Sequence, residues 1–292
     1  MKIERSFGAH DGTFHADEVT ACALLMMYNL IDRDKITRTR DPKVLAQCDF
    51  VCDVGGIYDP KQRLFDHHQV EYQGPLSSAG MILLYLKDQN IISEKDYHAL
   101  NDALIIGVDA HDNGKVTPVK GFASFSNVVS NYMPIEHGSG EKAENEAFFH
   151  ALDFVLAHLD RLMQRHRYQQ SCQRLVEESM KDRGVCLMFD ENLPWIESFF
   201  EMDGEAHPAQ FVIMPSSGNQ WKLRGIPPSY DDRMAVRTPL PLEWAGLLDD
   251  DLKAASNITG AIFCHKGRFI SVWENREDAI KALEYTLAQT KK

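Results

Sequence analysis

From the N-terminus to about Lys115, short β-rich runs alternate with stretches whose apolar residues recur at helical spacing. Asp49 to Val54 reads as a buried strand, and Arg63-Leu64-Phe65 as another that runs into Asp66. Helical spacing is found from Ala16 to Leu30 and again from Ala79 to Leu86, behind Ser77-Ser78. Alternation of this kind predicts a parallel sheet with helices on both faces. A long helical pattern follows from Glu141 to Lys181, with Phe148, Leu152, Val155, Leu156, Leu159 and Leu162 on one side. It stops at Asp182-Arg183-Gly184, where glycine supplies the terminator. β character resumes at Val185 to Phe189, then at Gln210 to Pro215, Trp221 to Ile226, Gly260 to His265 and Phe269 to Trp273. A closing helix runs from about Arg276 to Gln289. The chain is therefore read as α/β: an N-terminal parallel-sheet domain over residues 1–135, a helical connector over 136–183 and a smaller C-terminal α/β domain over 184–292. No internal repeat or low-complexity segment is visible.

With 292 residues, 44% of them hydrophobic and 25% charged, the chain has room for two ordinary domains, so one small binding module is a poor fit. Its 31 basic and 43 acidic residues leave a net charge of −12, which argues against general nucleic-acid affinity unless a local basic groove overrides the field. A metal-dependent phosphoesterase partly escapes that argument, because clustered carboxylates are its ligands and the cations neutralise them. The best apolar run, Val19 to Tyr28, is about half the ~20 residues a spanning helix needs, so no membrane association is expected. The six cysteines are scattered at 22, 48, 52, 172, 186 and 264, and the N-terminus has no signal-peptide core. Both features favour a reducing, cytoplasmic setting.

Chemistry-bearing residues recur where apolar stretches end: His10, His15 and Asp17, then Asp53, then Asp66-His67-His68, then Asp109. In open parallel sheets, ligands bind beyond the carboxyl ends of the strands. Mixed carboxylates and imidazoles suit a divalent metal. Each set alone also has a bland explanation: Asp17 as a helix N-terminal charge, Asp53 as a turn residue, the histidine pair as hydrogen-bonded core. Their recurrence along the chain favours metal. Two carboxylate oxygens allow Asp53 to bridge two cations, and Gly55-Gly56 lets backbone approach a ligand. If the chain stays extended, His67 and His68 point in opposite directions, one to metal and one to substrate. Asp66 would orient an imidazole. Asp109 is preferred as a ligand, with Asp112 near the site in the turn-like Asp112-Asn113-Gly114. Ser77 and Ser78 begin a helix, where backbone N–H groups could receive a phosphate or a serine could simply cap. Arg224, Arg237, His265 and Arg268 are candidate oxyanion-binding groups in the second domain.

Taken in order, His10…His15-x-Asp17, Asp53, Asp66-His67-His68 and Asp109 resemble the DHH phosphoesterase superfamily. Within it, Gly12-Thr13-Phe14-His15-x-Asp17-Glu18, Phe65-Asp66-His67-His68-Gln69, Ser77-Ser78-Ala79-Gly80 and Asp109-Ala110-x-Asp112-Asn113-Gly114 look like the melanocyte-proliferating-gene family of metal-dependent hydrolases. The similarity runs from about residue 6 to the end and includes Pro239-Leu240-Pro241-x-x-Trp244-x-Gly246-Leu247. The resemblance implies a DHH-type N-terminal domain binding two divalent cations, usually Mn2+, with Mg2+, Co2+ or Zn2+ as alternatives, and hydrolysis of phosphoester or phosphoanhydride bonds. Members of that family are associated with 3′–5′ RNA exonuclease activity. His15 replaces a carboxylate of the wider superfamily, a change that could tune preference towards softer ions.

On this reading His10, His15 and Asp53 hold one cation and Asp17, Asp53, His67 and Asp109 the other. A hydroxide between the metals would attack phosphorus in line. His68, with Asp66 beside it, would contact the phosphoryl group or protonate the leaving group. Arg224, Arg237, His265 and Arg268 would hold the phosphate. The expected substrate is single-stranded RNA or a short oligonucleotide. A hydrolase of dinucleotides or pyrophosphate is the alternative, and a non-catalytic, metal-stabilised RNA-binding protein the third reading. A homo-oligomer is compatible with all three.

Overall fold

The strand β1 (Ile3–Ala9) passes from an exposed start to a wholly buried end and delivers the chain directly to His10. The computed structural model describes residues 1–136, 138–233 and 235–290, and the chain forms two compact units, Met1–His166 and Arg167–Lys292. In the first unit β1 is followed by α1 (Ala16–Met27), β2 (Ile36–Arg38), α2 (Pro42–Leu45), β3 (Cys48–Cys52), β4 (Tyr58–Asp59) and β5 (Leu64–Phe65). The strand order is β2-β1-β3-β5-β4. β2, β1, β3 and β5 run parallel, but β4 pairs antiparallel with β5, so the expected parallel sheet has an antiparallel edge. The reason is local. A parallel pair needs a crossover of about a dozen residues or more, whereas β4 and β5 are joined by a tight turn at residues 60–63, closed by Gln62 N–H donating to the Asp59 carbonyl at 3.1 Å.

Helices α3 (Ser78–Asp88), α4 (Glu94–Leu100), α5 (Ile106–Asp112), α6 (Phe125–Ser130) and the long α7 (Glu141–Met180) complete this unit and lead into the next. Every residue of α1 from Ala16 to Leu25 is buried, as expected of a helix apolar on most sides and packed against both sheet and helices. Phe7, Phe50 and Phe65 of the sheet meet Leu24, Leu25, Met81 and Phe148 in the main core. A thinner apolar layer of Leu45, Cys48 and Val51 covers the other face. Gly8 permits that close approach, since a Cβ there would lie 2.9 Å from both the Cys48 sulfur and the Leu45 side chain.

The apolar run ending at Asp109 is helical rather than a strand end. A π-helical stretch, Asn101–Ile105, links α4 to α5. Leu100, Leu104, Ile105 and Val108 are buried while Ile106 is exposed, which is helical rather than alternating spacing.

In the second unit the remainder of α7 precedes β6 (Cys186–Met188), α8 (Ile196–Glu201), β7 (Phe211–Pro215), β8 (Trp221–Gly225), α9 (Asp249–Ser256), β9 (Ala261–Cys264), β10 (Ile270–Trp273) and α10 (Arg276–Gln289). The sheet order is β6-β7-β8-β10-β9, parallel only between β6 and β7. β7 buries both faces by alternation, with Phe211 and Ile213 in one core and Val212 and Met214 in the other. The unit boundary falls inside α7. Phe148, Leu152, Val155, Leu159 and Met163 belong to the first unit's core, and Cys172 and Val176 to a core of the second. All six cysteines are unpaired. Among the described residues no helix is long and apolar enough to cross a membrane.

Candidate metal centre

The chain leaves β1 for β2 on one side and returns to β3 on the other, so strand order reverses between β1 and β3. Adjacent strands diverge into their connections at such a point, leaving a crevice at their carboxyl ends. His10, directly after β1, and Asp53, directly after β3, meet there with His10 Nε2 3.1 Å from Asp53 Oδ2. Asp53 has φ of 55°, a left-handed conformation that Asp tolerates better than most residues. β5 ends beside them and supplies Asp66, His67 and His68. The loop of residues 10–15 is held by buried Arg38, which donates to the Gly12 carbonyl and to Asn145 Oδ1 and lies over the Phe148 ring.

Three sets of donor atoms result, each within 4.8 Å of one another: His10, His15, Glu18 and Asp53; Asp53, His67 and His68; His15, Asp17 and Asp112. Asp53 belongs to two sets. His67 turns into the cluster, with Nε2 3.0 Å from Asp112 Oδ2, 3.5 Å from Asp53 Oδ1 and 4.0 Å from Asp17 Oδ2. His68 is 62% exposed along its side chain, and its Nδ1 is 2.8 Å from Asp66 Oδ1. Asp66 also accepts from the His68 and Gly56 backbone N–H groups, which fixes the carboxylate.

A divalent cation fits this donor set. Both Asp17 oxygens, Asp53 Oδ1 and His67 Nε2 are buried without a well-formed hydrogen bond, a costly state for groups of this kind. Protons take part of the cation's role in the metal-free chain. Burial opposes charge on His10 and His67, but the neighbouring carboxylates outweigh it. They raise His10 to about 9 through Asp53 and Glu18, and His67 to about 10 through Asp112 and Asp53. Burial and then the charge of Asp53 push Glu18 up to about 7, and burial with Asp53 raises Asp17 well above its ordinary value. Asp53 is also pushed up by burial, yet its bonds to His10 and His67 prevail and hold it at about 2.

Metal-free stability should therefore fall with rising pH. The raised histidines lend stability that is complete below their unfolded value of 6.5 and is lost as pH climbs through about 9 and 10. Glu18 favours the folded state below its unfolded value of 4.5 and loses that contribution by about pH 7. Melting temperatures of chelated protein should drop between about pH 6 and 10, and added Mn2+ should flatten the decline by displacing those protons. A pH-independent melt of the chelated protein would show that these groups do not carry the charge balance.

Asp109 lies outside the three donor sets. Its Oδ1 accepts from the Ser77 N–H at 3.0 Å, the Ser77 hydroxyl at 2.7 Å and the Gly80 N–H at 3.0 Å. Asp112, one helical turn along α5, is the carboxylate that reaches His67. Gly80 is required beside Asp109, because a Cβ there would lie 2.1 Å from Asp109 Oδ2. Asp109→Ala should then cost about 1–3 kcal/mol by orphaning buried donors while leaving metal stoichiometry unchanged. Asp112→Ala should do the reverse, and melting together with metal titration of the two variants separates these roles.

Ser77 and Ser78 are both fully buried, and Ser78 donates its hydroxyl to the Phe65 carbonyl, so neither side chain caps α3. In the second unit, the Arg237 guanidinium donates to the carbonyls of Gly204, His207, Ala209 and Pro227. Arg268 donates to the Leu240 carbonyl at 3.3 Å, and His265 accepts from the Gly267 N–H through Nδ1 and packs on Phe269. Arg224 is half-buried.

Glu18, not singled out as a ligand in the sequence, and Asp112, placed there only near the site, both join the donor sets. Glu18 carried a signal, since its carboxylate accepts from the His15 N–H at 2.9 Å, the spacing of a helix-start box. Asp112 was read as near the site, and its reach to His67 became clear only once its segment was known to be helical.

Family comparison extends over this whole arrangement. Residues 6–287 match the MYG1 exonuclease model, described as an uncharacterised protein family, UPF0160. The MYG1 protein of Chlamydia trachomatis is 52% identical over 289 residues, covering 99% of each chain. The MYG1 exonucleases of Rattus norvegicus and Homo sapiens are 31% and 32% identical, over 97% of this chain and 84% and 85% of theirs. Matched through both units, from the strand that delivers His10 to the closing helix, the chain belongs to the MYG1 family.

Proposed function

We propose that this chain is a divalent-cation-dependent phosphodiesterase that removes nucleotides in the 3′–5′ direction from single-stranded RNA or short oligonucleotides. The observation that carries the reading is the set of buried ligand atoms of Asp17, Asp53 and His67 that lack a well-formed hydrogen bond, beside an open cavity of about 530 Å3. His10, His15, Asp53, Asp66 and His68 line that cavity, and Arg40 brings a guanidinium to its wall. Relatives named MYG1 exonuclease support a nuclease over other phosphoesterases. The net charge of −12 favours short strands, because little long-range attraction is available to a long polyanion.

His10, His15, Glu18 and Asp53 would hold one cation, and Asp17, Asp53, His67 and Asp112 a second, with Asp53 shared. Divalent cations there would supply Lewis-acid stabilisation of the phosphoryl oxygens and a nucleophile at neutral pH. His68, on the cavity wall with Nδ1 steadied by Asp66, keeps Nε2 for a proton exchanged with the leaving oxygen. Arg40 pairs with Asp11 at 3.1 Å and would exchange that partner for a substrate phosphate.

A Mn2+-supplemented assay with single-stranded RNA, single-stranded DNA, a dinucleotide and pyrophosphate tests the reading. Mononucleotides should be released from strands with a free 3′ end and not from 3′-blocked ones. Turnover confined to pyrophosphate or the dinucleotide would make the protein a small-molecule hydrolase. Metal binding without turnover of any of the four would leave only a binding role.

A further inference from the structure

The Arg167–Lys292 unit has a cavity of about 290 Å3 beside β8. Lys222 and Arg224 are two residues apart on that strand and so project from one face. Arg233 reaches the same lining from the loop beyond it. Among the described residues none of the three forms an ion pair. Lys222 Nζ donates to the neutral amide oxygen of Asn192 at 2.9 Å, and Arg233 donates to the Tyr230 carbonyl and stacks on that ring. The Arg224 guanidinium makes no hydrogen bond or ion pair among the described residues. The lining carboxylate Glu197 accepts from the Tyr230 hydroxyl at 3.4 Å and forms no ion pair with these cations among the described residues.

Gathering three cations in one small cavity of a chain whose net charge is −12 is unfavourable unless an anion offsets them. Burial, and then mutual repulsion, lower both Lys222 and Arg224 from their ordinary values. Two guanidiniums and an ammonium match the several oxygens of a phosphate better than a single carboxylate. The lining also has an apolar part, with Leu193, Pro194 and Trp195 consecutive in the chain. Its volume is at the small end of ligand pockets, about 300–1,000 Å3, so one nucleotide fits rather than a longer piece.

We propose that the second unit binds a nucleotide phosphate at Lys222, Arg224 and Arg233, with the sugar or base against the apolar wall of Leu193 and Pro194. The choice of a nucleotide rests on the nuclease reading, whereas the anion site rests on these residues alone. The phosphate can come from a free mononucleotide or from a strand.

Calorimetry on the full-length protein stripped of metal by chelation distinguishes these sources, with inorganic phosphate, adenosine monophosphate and a short oligoadenylate as probes. Adenosine monophosphate or the oligomer should bind saturably and more tightly than phosphate, and more weakly as salt rises. Binding of the oligomer alone would identify the strand as the source. Arg224→Gln and Arg233→Gln should each weaken binding about tenfold or more, with Mn2+ stoichiometry unchanged. Arg233 is exposed, so its variant remains informative if the half-buried Arg224 variant folds poorly. The proposal is overturned if neither nucleotide probe binds by millimolar concentration, if Arg233→Gln leaves binding unchanged, or if phosphate binds as tightly as the nucleotide. Nucleotide binding at these residues in a protein that hydrolyses no RNA would instead sink the nuclease reading and keep the site.

Discussion

Asp53→Asn should abolish metal-dependent hydrolysis and lower metal affinity by more than the roughly 10–100-fold that loss of an outer-sphere contact costs. Asp53 is shared by two of the three donor sets, lies 3.1 Å from His10 and 3.5 Å from His67, and is almost fully buried. No other carboxylate lies directly beyond β3 to take its place. Asn is the informative replacement. It keeps the side-chain shape and tolerates the left-handed backbone at φ 55°, whereas Ala would add backbone strain to the loss of charge. Calorimetric titration with Mn2+ alongside a turnover assay reads both effects. A variant that binds two equivalents normally and turns over like the parent protein removes Asp53 from the centre.

His68→Ala should retain metal and lose rate by about 10²–10⁴-fold, the range expected for a general acid, while His67→Ala should lose metal. The two adjacent imidazoles differ in surroundings. His67 is 6% exposed along its side chain and faces Asp53 and Asp112, whereas His68 is 62% exposed and lines the cavity with Asp66 behind it. Asp66→Asn should fall between wild type and His68→Ala, because it disturbs the orientation of the ring and not its presence. A substrate with a good leaving group supplies the second readout: it needs little proton donation, so it should restore much of the rate lost in His68→Ala. Equal losses of metal affinity in the two histidine variants would refute the division.

Much of this fold could be read locally. The closing helix lies at Arg276–Gln289, where its pattern placed it, because its apolar spacing and the Asn275 cap, which accepts from the Asp278 N–H at 2.9 Å, are neighbours in the chain. β3, β5 and the five strands of the second sheet were legible for the same reason, since short apolar runs declare themselves without reference to their partners, whereas β2 and β4 were not singled out. The helical state of the Asp109 segment was not legible, because short apolar runs do not by themselves distinguish strand from helix, and the antiparallel edge was missed because it follows from the tight turn that joins β4 to β5.

By itself the sequence determined an α/β chain and the kinds of ligand available at its strand ends, because burial periodicity and residue chemistry are properties of consecutive positions. The sheet order alone decided that His10, Asp53 and His67 meet, since it sets β1, β3 and β5 side by side across dozens of residues of chain. Helix phase decided between Asp109 and Asp112: one turn of α5 directs the first to Ser77 and Gly80 and the second to His67. Tertiary packing also separated the arginines, taking up Arg237 in four backbone carbonyls and leaving Arg224 beside Lys222 with no ion-pair partner among the described residues. A side chain's charge is written in the sequence, but whether that charge is already neutralised depends on groups brought near it only by folding.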